Sequence, residues 1–358
     1  MGCEGAVTNR RHSRERPVRS RSAASAKAIA AFSGGLDSIL AAVIVRSLGI
    51  DVTLLHVRHL FSASATEEGR ARIAAAADAV ALPLRIVDAS SEHLDVVRNP
   101  KHGYGRGMNP CVDCRIFTLK VAARVMEEEG AEFVITGEVL GQRPKSQHYR
   151  ALLQVAEESG LGDRLLRPLS ANLLPDTLPV KVGWLRKTDL LSIQGRSREA
   201  QVTLAKAYGI VDYPQPAGGC ILVEGPYAAR VRDAFSHADR ENVDAEAFRL
   251  LQVGRHFRLS DRAKAVIGRN ERENGVLAAL ATGRVRIDPA DVMGPTTLVE
   301  GDPTEGELLI AASLAARYSD HGGRPSIPMH IVEGHGERIM DAIPLPSDDP
   351  RIARWRIG

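Results

Sequence analysis

The chain has 358 residues, more than one hydrophobic core ordinarily serves, so two domains, or one with a large appendage, are expected. Its 47 Lys and Arg against 44 Asp and Glu leave a formal charge of +3, which excludes a strong overall field and leaves nucleic-acid contact to local clusters. No apolar run is long enough to span a bilayer, no secretory leader is visible, and Cys3, Cys111, Cys114 and Cys220 are too few for a disulfide scaffold; a cytoplasmic protein without a membrane partner is expected.

Residues 1–26 place Arg10, Arg11, Arg14, Arg16, Arg19 and Arg21 among Ser and Ala, a composition expected to give a disordered basic tail. From Lys27 onward short apolar runs at Ala28–Phe32, Val52–Val57, Leu84–Val87 and Phe133–Thr136 read as buried strands. Ile39–Leu48, Glu67–Ala79 and Ile116–Glu129 between them have helical spacing. This alternation predicts an α/β fold, a Rossmann-like parallel sheet with helices on both faces, whose ligand sits beyond the C-terminal ends of the strands. Residues 165–225, broken by Pro168, Pro175, Pro179, Gly183 and Gly195 before a helical run at Arg198–Tyr208, read as an active-site flap that completes a first domain over 27–238. Within it, Gln194-Gly195-Arg196-Ser197 suits either a helix cap or a phosphate contact. The polar segment near Asp239 marks a boundary, after which 239–345 forms a smaller α+β domain and 346–358 a C-terminal tail.

Ser33-Gly34-Gly35-Leu36-Asp37-Ser38 stands between the first strand and the first helix. Adjacent glycines let backbone N–H groups converge on phosphate oxygens, Ser33 and Ser38 add hydroxyls, the helix N-terminus adds positive potential, and Asp37 can hold Mg2+ against a pyrophosphate. No Lys follows the glycines, which excludes a Walker A loop, and there is no G-x-G-x-x-G.

Asn109-Pro110-Cys111-Val112-Asp113-Cys114 precedes a helical run beginning near Ile116, and Pro216-Ala217-Gly218-Gly219-Cys220 follows about a hundred residues later. Three cysteines so spaced suit an iron–sulfur cluster with one open iron or a persulfide carrier with a resolving thiol. A structural zinc site would need a fourth ligand, for which His56 and His102 are candidates. Farther on, Gly254–Arg258, Lys264, Gly268–Asn274 and Arg317–Ser319 set cations beside aromatic and small residues, a mixture suited to an RNA backbone or to a solvated charged face.

Ser33–Ser38 resembles the SGGxDS signature of the PP-loop ATP pyrophosphatases, and the two cysteine motifs resemble those of PP-loop tRNA 2-thiouridine and 4-thiouridine synthases (relatives of ThiI and MnmA). Thr136-Gly137-Glu138 and Gly141-Gln142-Arg143-Pro144 look like that group's second nucleotide motif. The resemblance implies an ATP site on Ser33, Gly34, Gly35, Asp37, Ser38, His56, Gly137 and Glu138, with Asp37, Cys114 and Cys220 catalytic. It implies an oxygen-sensitive 4Fe-4S cluster on Cys111, Cys114 and Cys220, with ATP and Mg2+ as the other requirements. Gly254–Arg258, Gly268–Asn274, Gly294-Pro295 and Arg317–Ser319 resemble the RNA-binding NFACT-R domain, which implies RNA contacts at Arg255, His256, Arg258, Lys264, Arg269 and Asn270. The expected activity is ATP-dependent thiolation of a tRNA uridine, with tRNA and a sulfur donor (sulfide, a cysteine desulfurase or a carrier protein) as partners. A PP-loop enzyme acting on a small molecule and a non-catalytic RNA-binding adaptor are the competing readings.

Overall fold

The computed structural model describes residues 26–214, 220–237 and 245–358; the basic tail with Cys3, the glycines before Cys220 and the segment around Asp239 lie outside the described residues. The first domain contains β1 (Lys27–Ala31), α1 (Leu36–Ser47), β2 (Asp51–Arg58), α2 (Glu67–Asp78), β3 (Leu84–Asp88) and α3 (Ser90–Arg98). It continues with α4 (Cys111–Glu128), β4 (Phe133–Thr136), α5 (Tyr149–Glu158), β5 (Leu165–Leu166), α6 (Leu178–Lys181) and α7 (Glu199–Ala207). The strands form one sheet in the order β3-β2-β1-β4-β5, with every pairing parallel.

Alternation along the strands decides which helix covers which face. Ala28 and Ala30 of β1, Val52 and Leu54 of β2, and Phe133 and Ile135 of β4 pack with Ile39 and Val43 of α1 and Ile73 and Ala77 of α2. The intervening Ile29, Leu55, Val57 and Val134 pack with Ile116, Leu119, Ala122 and Met126 of α4 and Val155 of α5. Both faces are thus closed by helices, as the continuous apolar runs require. Leu84–Val87 departs from the expectation of a buried strand: β3 is the sheet's edge, and Ile86 is 46% exposed. The helix expected near Ile116 begins at Cys111, so its first turn carries both cysteines.

The chain continues through α8 (Gly225–His237) and α9 (Ala245–Leu250) into β6 (Arg255–Arg258), β7 (Ala263–Ile267), α10 (Glu271–Ala279), β8 (Val285–Pro289) and β9 (Thr297–Gly301). Then come α11 (Glu305–Arg317), β10 (Ile327–Glu333), β11 (Gly336–Ala342), α12 (Pro350–Trp355) and β12 (Arg356–Ile357). The strands make a separate antiparallel sheet in the order β11-β10-β8-β9-β7-β6-β12, the smaller α+β unit expected. Residues 346–358, set apart in the sequence as a tail, supply α12 and the edge strand β12. The sheet lays Ala265 and Ile267 against α11, while Val266 and Leu298 face Leu277 and Leu280 around α10. A capping box between Thr304 and Glu307 starts α11.

Candidate active site

In a parallel sheet each helix begins near the C-terminal edge of the strands, so the N-termini of α1 and α4 open on the same rim as the ends of β1, β2 and β4. Ser33–Gly35 turn the chain from β1 into α1. The Ser33 and Ser38 hydroxyls are 3.2 Å apart, and Ser38 Oγ donates to the Gly35 carbonyl at 2.8 Å. Asp37 stands in the first turn of α1; its Oδ2 accepts from Gln142 Nε2 at 3.0 Å, and its Oδ1 is buried with no hydrogen-bond partner. A buried carboxylate oxygen without a partner among the described residues is a fitting ligand for a hard cation such as Mg2+.

Gly137, at the end of β4, lies against the same turn. A Cβ there would be 2.4 Å from the carbonyl carbon and oxygen of Asp37 and 2.5 Å from Ser38 N, so no side chain fits unless the phosphate loop moves. The second nucleotide motif therefore reaches Asp37 twice, through Gly137 and through Gln142.

His56 and Glu138, expected at the ATP, are both buried. The His56 ring lies between the Phe32 carbonyl, 2.8 Å from Nδ1, and Ser64 Oγ, 2.5 Å from Nε2. Burial lowers its pKa, so the neutral ring donates from Nδ1 to Phe32 and holds the strand end that feeds the loop. Glu138 is 2% exposed and forms ion pairs with Arg167 at 2.9 Å and Arg115 at 3.2 Å. Burial works against its charge, but the two arginines overcome it and hold the carboxyl below the usual range. Both side chains are thus tied to the protein itself, His56 to the end of β1 and Glu138 to Arg167 and Arg115.

Cys111 and Cys114 occupy the first turn of α4, where Asp113 accepts from the backbone N–H groups of Lys101 and His102 at 3.1 and 3.0 Å. Cys220 reaches them through a backbone bridge: Met108 N donates to the Leu222 carbonyl at 2.9 Å. A Cβ on Gly107 would fall 2.2 Å from that carbonyl, so the two segments can approach only because residue 107 is glycine. All three thiols are free, and Cys111 and Cys220 lie close enough to Cys114 to disfavour its ionisation, as Cys111 does that of Cys220. Burial, and then its neighbours, pushes Cys114 up to about 12; burial raises Cys220 as well.

Two histidines that the sequence did not single out complete this group. His59 directly follows β2, His93 lies on α3, and their rings stack with centroids 3.8 Å apart. His93 Nε2 is 3.2 Å from Cys114 Sγ, and the ligand atoms of His59, His93 and Cys114 all lie within 4.8 Å of one another. Soft sulfur and borderline nitrogen donors with little opposing charge suit iron or zinc. The available clue in the sequence was position: His59 sits immediately beyond a strand's C-terminal end.

Burial first, and then a neighbouring histidine, lowers His59 to about 4 and His93 to about 3. The unfolded chain takes up protons on these rings near pH 6.5, whereas the fold does not, so their stabilising effect is complete above that pH and declines as pH falls toward 4. At pH 5 each should have lost on the order of 2 kcal/mol. Denaturant midpoints of the iron-free protein should therefore fall between pH 7 and pH 5, and the fall should be smaller in a His59→Asn/His93→Gln variant.

In the second domain the expected motifs converge on Asn274, whose Nδ2 donates to the Gly294 carbonyl at 3.3 Å and whose Oδ1 accepts from Thr296 N at 3.2 Å. Arg255 lies over the Tyr318 ring at 4.3 Å, and Arg317 approaches the same ring at 5.5 Å. Arg269 is 46% exposed at its side chain and paired with Glu273, and Asn270 caps α10 by accepting from Glu273 N. Arg258 is held by Asp233. His256 and Lys264 are corrections to the expected RNA contacts. His256 is buried, with Nε2 2.8 Å from the Val253 carbonyl, and Lys264 is buried against Glu300 at 2.5 Å.

A family model described as thiamine biosynthesis protein (ThiI) matches residues 23–171, and one described as NFACT protein RNA binding domain matches 254–356. Residues 23–171 are thus similar to ThiI-type PP-loop domains and residues 254–356 to NFACT-type RNA-binding domains. Among curated relatives, the tRNA-specific 2-thiouridylase MnmA of Xanthobacter autotrophicus is 24% identical over 86% of this chain and 82% of its own length. MnmA of Frankia casuarinae is 26% identical over 89% of this chain and 92% of its own. A probable tRNA sulfurtransferase of Methanothermobacter thermautotrophicus is 24% identical over 65% of this chain and 54% of its own. A solved 4-thiouridine synthetase–RNA complex with bound ATP aligns with 52% of this chain and 50% of that one, at 20% identity and a TM-score of 0.34. The PP-loop domain accounts for ATP use, and no helix among the described residues is long and apolar enough to cross a membrane.

Proposed function

We propose that this chain is an ATP-dependent tRNA sulfurtransferase that replaces a uridine carbonyl oxygen with sulfur. The observation that carries this reading is the opening of the phosphate loop and the group of three thiols on one rim of one sheet, in a chain that also holds an NFACT-type domain. A small-molecule substrate would leave that domain without a role, and a non-catalytic adaptor would leave the unpartnered Asp37 oxygen without one.

ATP lies with its phosphates over Ser33–Ser38, and Asp37 Oδ1 is the ligand for Mg2+, which would neutralise charge on the departing pyrophosphate. The uridine, unstacked to reach the rim, attacks the α-phosphorus through its carbonyl oxygen. The bond from the α-phosphorus to the bridging oxygen breaks and pyrophosphate leaves. Sulfur then attacks the activated carbon, the carbon–oxygen bond breaks with its electron pair, and AMP departs. AMP leaves where oxide would not, and this is the reason ATP is used.

Cys111, Cys114 and Cys220 would suit a 4Fe-4S cluster: all three are free and half-buried, and burial disfavours a bare thiolate at Cys114 and Cys220. Such a cluster would supply an open iron able to present sulfide. In the alternative route, Cys220 carries the sulfur as a persulfide and Cys114 resolves it, leaving a disulfide that an external thiol must reduce. On the cluster route the donor is sulfide; on the persulfide route it is a cysteine desulfurase or a carrier protein that hands over sulfur already at the persulfide level, and the cytoplasm is the expected setting. Anaerobic incubation with ATP, sulfide and unmodified tRNA should yield pyrophosphate and a thiouridine in nucleoside digests. Pyrophosphate formed at full rate without tRNA would overturn the tRNA assignment.

A further inference from the structure

We propose that Arg230, Arg255, Arg269 and Arg356 together form a seat for one backbone phosphate of the bound RNA, at the junction between the PP-loop domain and the second sheet. The proposal rests on the RNA-binding reading above and adds to it two arginines that no motif contains. Arg230 comes from α8, on the catalytic side, and its Nη1 donates to the Leu251 carbonyl at 3.1 Å. Arg255 Nη1 donates to the Gly268 carbonyl at 3.0 Å, beside Arg269. Glu273 ties the place together, accepting from Gly254 N at 3.2 Å and from Arg269 Nε at 2.9 Å. Arg356 arrives by the pairing of β12 with β6, opposite Phe257, while Gly358 rests against Pro226 in the first turn of α8.

Arg269 thus engages Glu273 directly, and Arg230 and Arg255 each lie near enough to Arg269, Arg356 and Glu273 to feel their charge. Arg230 Nε is buried without a partner. Burial lowers Arg230 and Arg255, and the neighbouring arginines add to the effect. Positive charge so gathered is unfavourable in the protein alone and is relieved by an anion that accepts from several forked donors at once, as a phosphodiester does. Tyr318, packed against the domain core, holds the Arg255 guanidinium over its ring. Because Arg230 belongs to α8, a phosphate held here fixes the RNA relative to the catalytic rim as well as to its own domain.

The test is titration of the full chain with unmodified tRNA at salt from about 50 to about 300 mM. Arg230→Gln and Arg356→Gln should each weaken binding by about tenfold at the lower salt and flatten the salt dependence by about one phosphate equivalent. Circular dichroism melts check folding, and Arg356, exposed on the edge strand, remains informative if Arg230→Gln unfolds. Wild-type affinity and slope in Arg356→Gln would overturn the seat while leaving RNA binding intact, as would weakened binding with an unchanged slope. Failure of the wild-type chain to bind tRNA would overturn the RNA-binding reading and the seat with it. Inorganic phosphate should compete only as far as ionic strength explains; specific displacement of tRNA by it would mark a free-anion site and overturn the assignment to RNA.

Discussion

Replacing Asp37 by alanine is expected to abolish tRNA-dependent pyrophosphate release, with a loss of at least about a thousandfold, because the first turn of α1 then lacks its charged ligand for the metal. Asp37 Oδ2 is already held by Gln142, so the substitution also frees the amide that connects the second nucleotide motif to the loop. Asp37→Asn separates these contributions. It keeps the side chain's shape and an oxygen able to accept from Gln142, but removes the charge, so it should leave thermal stability near wild type and still lose most of the pyrophosphate. Full activity in Asp37→Asn would remove Asp37 from metal binding. Quantitative pyrophosphate assays at saturating ATP, with binding of a non-hydrolysable ATP analogue measured beside them, decide the matter.

Cys220→Ala should behave in the opposite way. Pyrophosphate release on addition of tRNA should continue within a fewfold of wild type, while thionucleoside in the digests falls below detection. The reason is spatial: Cys220 packs with Phe61, Val97, Met108 and Leu222, a cluster that contains none of the residues of the phosphate loop, Ser33–Ser38. Coupled loss of both products would show that adenylation waits on an intact thiol group, which contradicts separate steps. Anaerobic samples add a second readout: the wild-type chain should carry iron with visible charge-transfer absorption, and the variant should lose it. Sulfur insertion by an iron-free wild-type protein would instead favour the persulfide route.

The phosphate loop was legible because its chemistry lies in consecutive residues flanked by a strand and a helix, so local pattern and function coincide. The sheet was legible for a similar reason: residues alternating toward two helical layers give unbroken apolar runs, as at Val52–Val57. The early start of α4 was hidden because Cys111, Val112, Asp113 and Cys114 do not continue the apolar period that begins at Ile116. His93 was hidden more deeply. It sits on a short helix, and its place beside Cys114 comes from packing among His59, Phe61 and Phe117, which no spacing announces. In the second domain, cations mixed with aromatics suggested a binding face, yet a strand turns successive residues to opposite sides. Arg255 therefore reaches the Tyr318 surface while His256 points inward. Lys264 lies on a strand covered on both faces and is tolerable there because Glu300 stands opposite it in register.

The backbone bridge from Met108 to Leu222, and the missing side chain at Gly107 that permits it, also set an order of events in the life of the chain. Cys111 and Cys114 emerge from the ribosome together and belong to one helix turn, whereas Cys220 joins them only after the segment between Cys114 and Leu222 has been synthesised. Until then Cys111 and Cys114 have no third thiol beside them, and oxidation of that pair to a disulfide would keep the group from assembling. Recombinant yield of competent enzyme should therefore depend on keeping the cell interior reducing during synthesis, and not merely during purification.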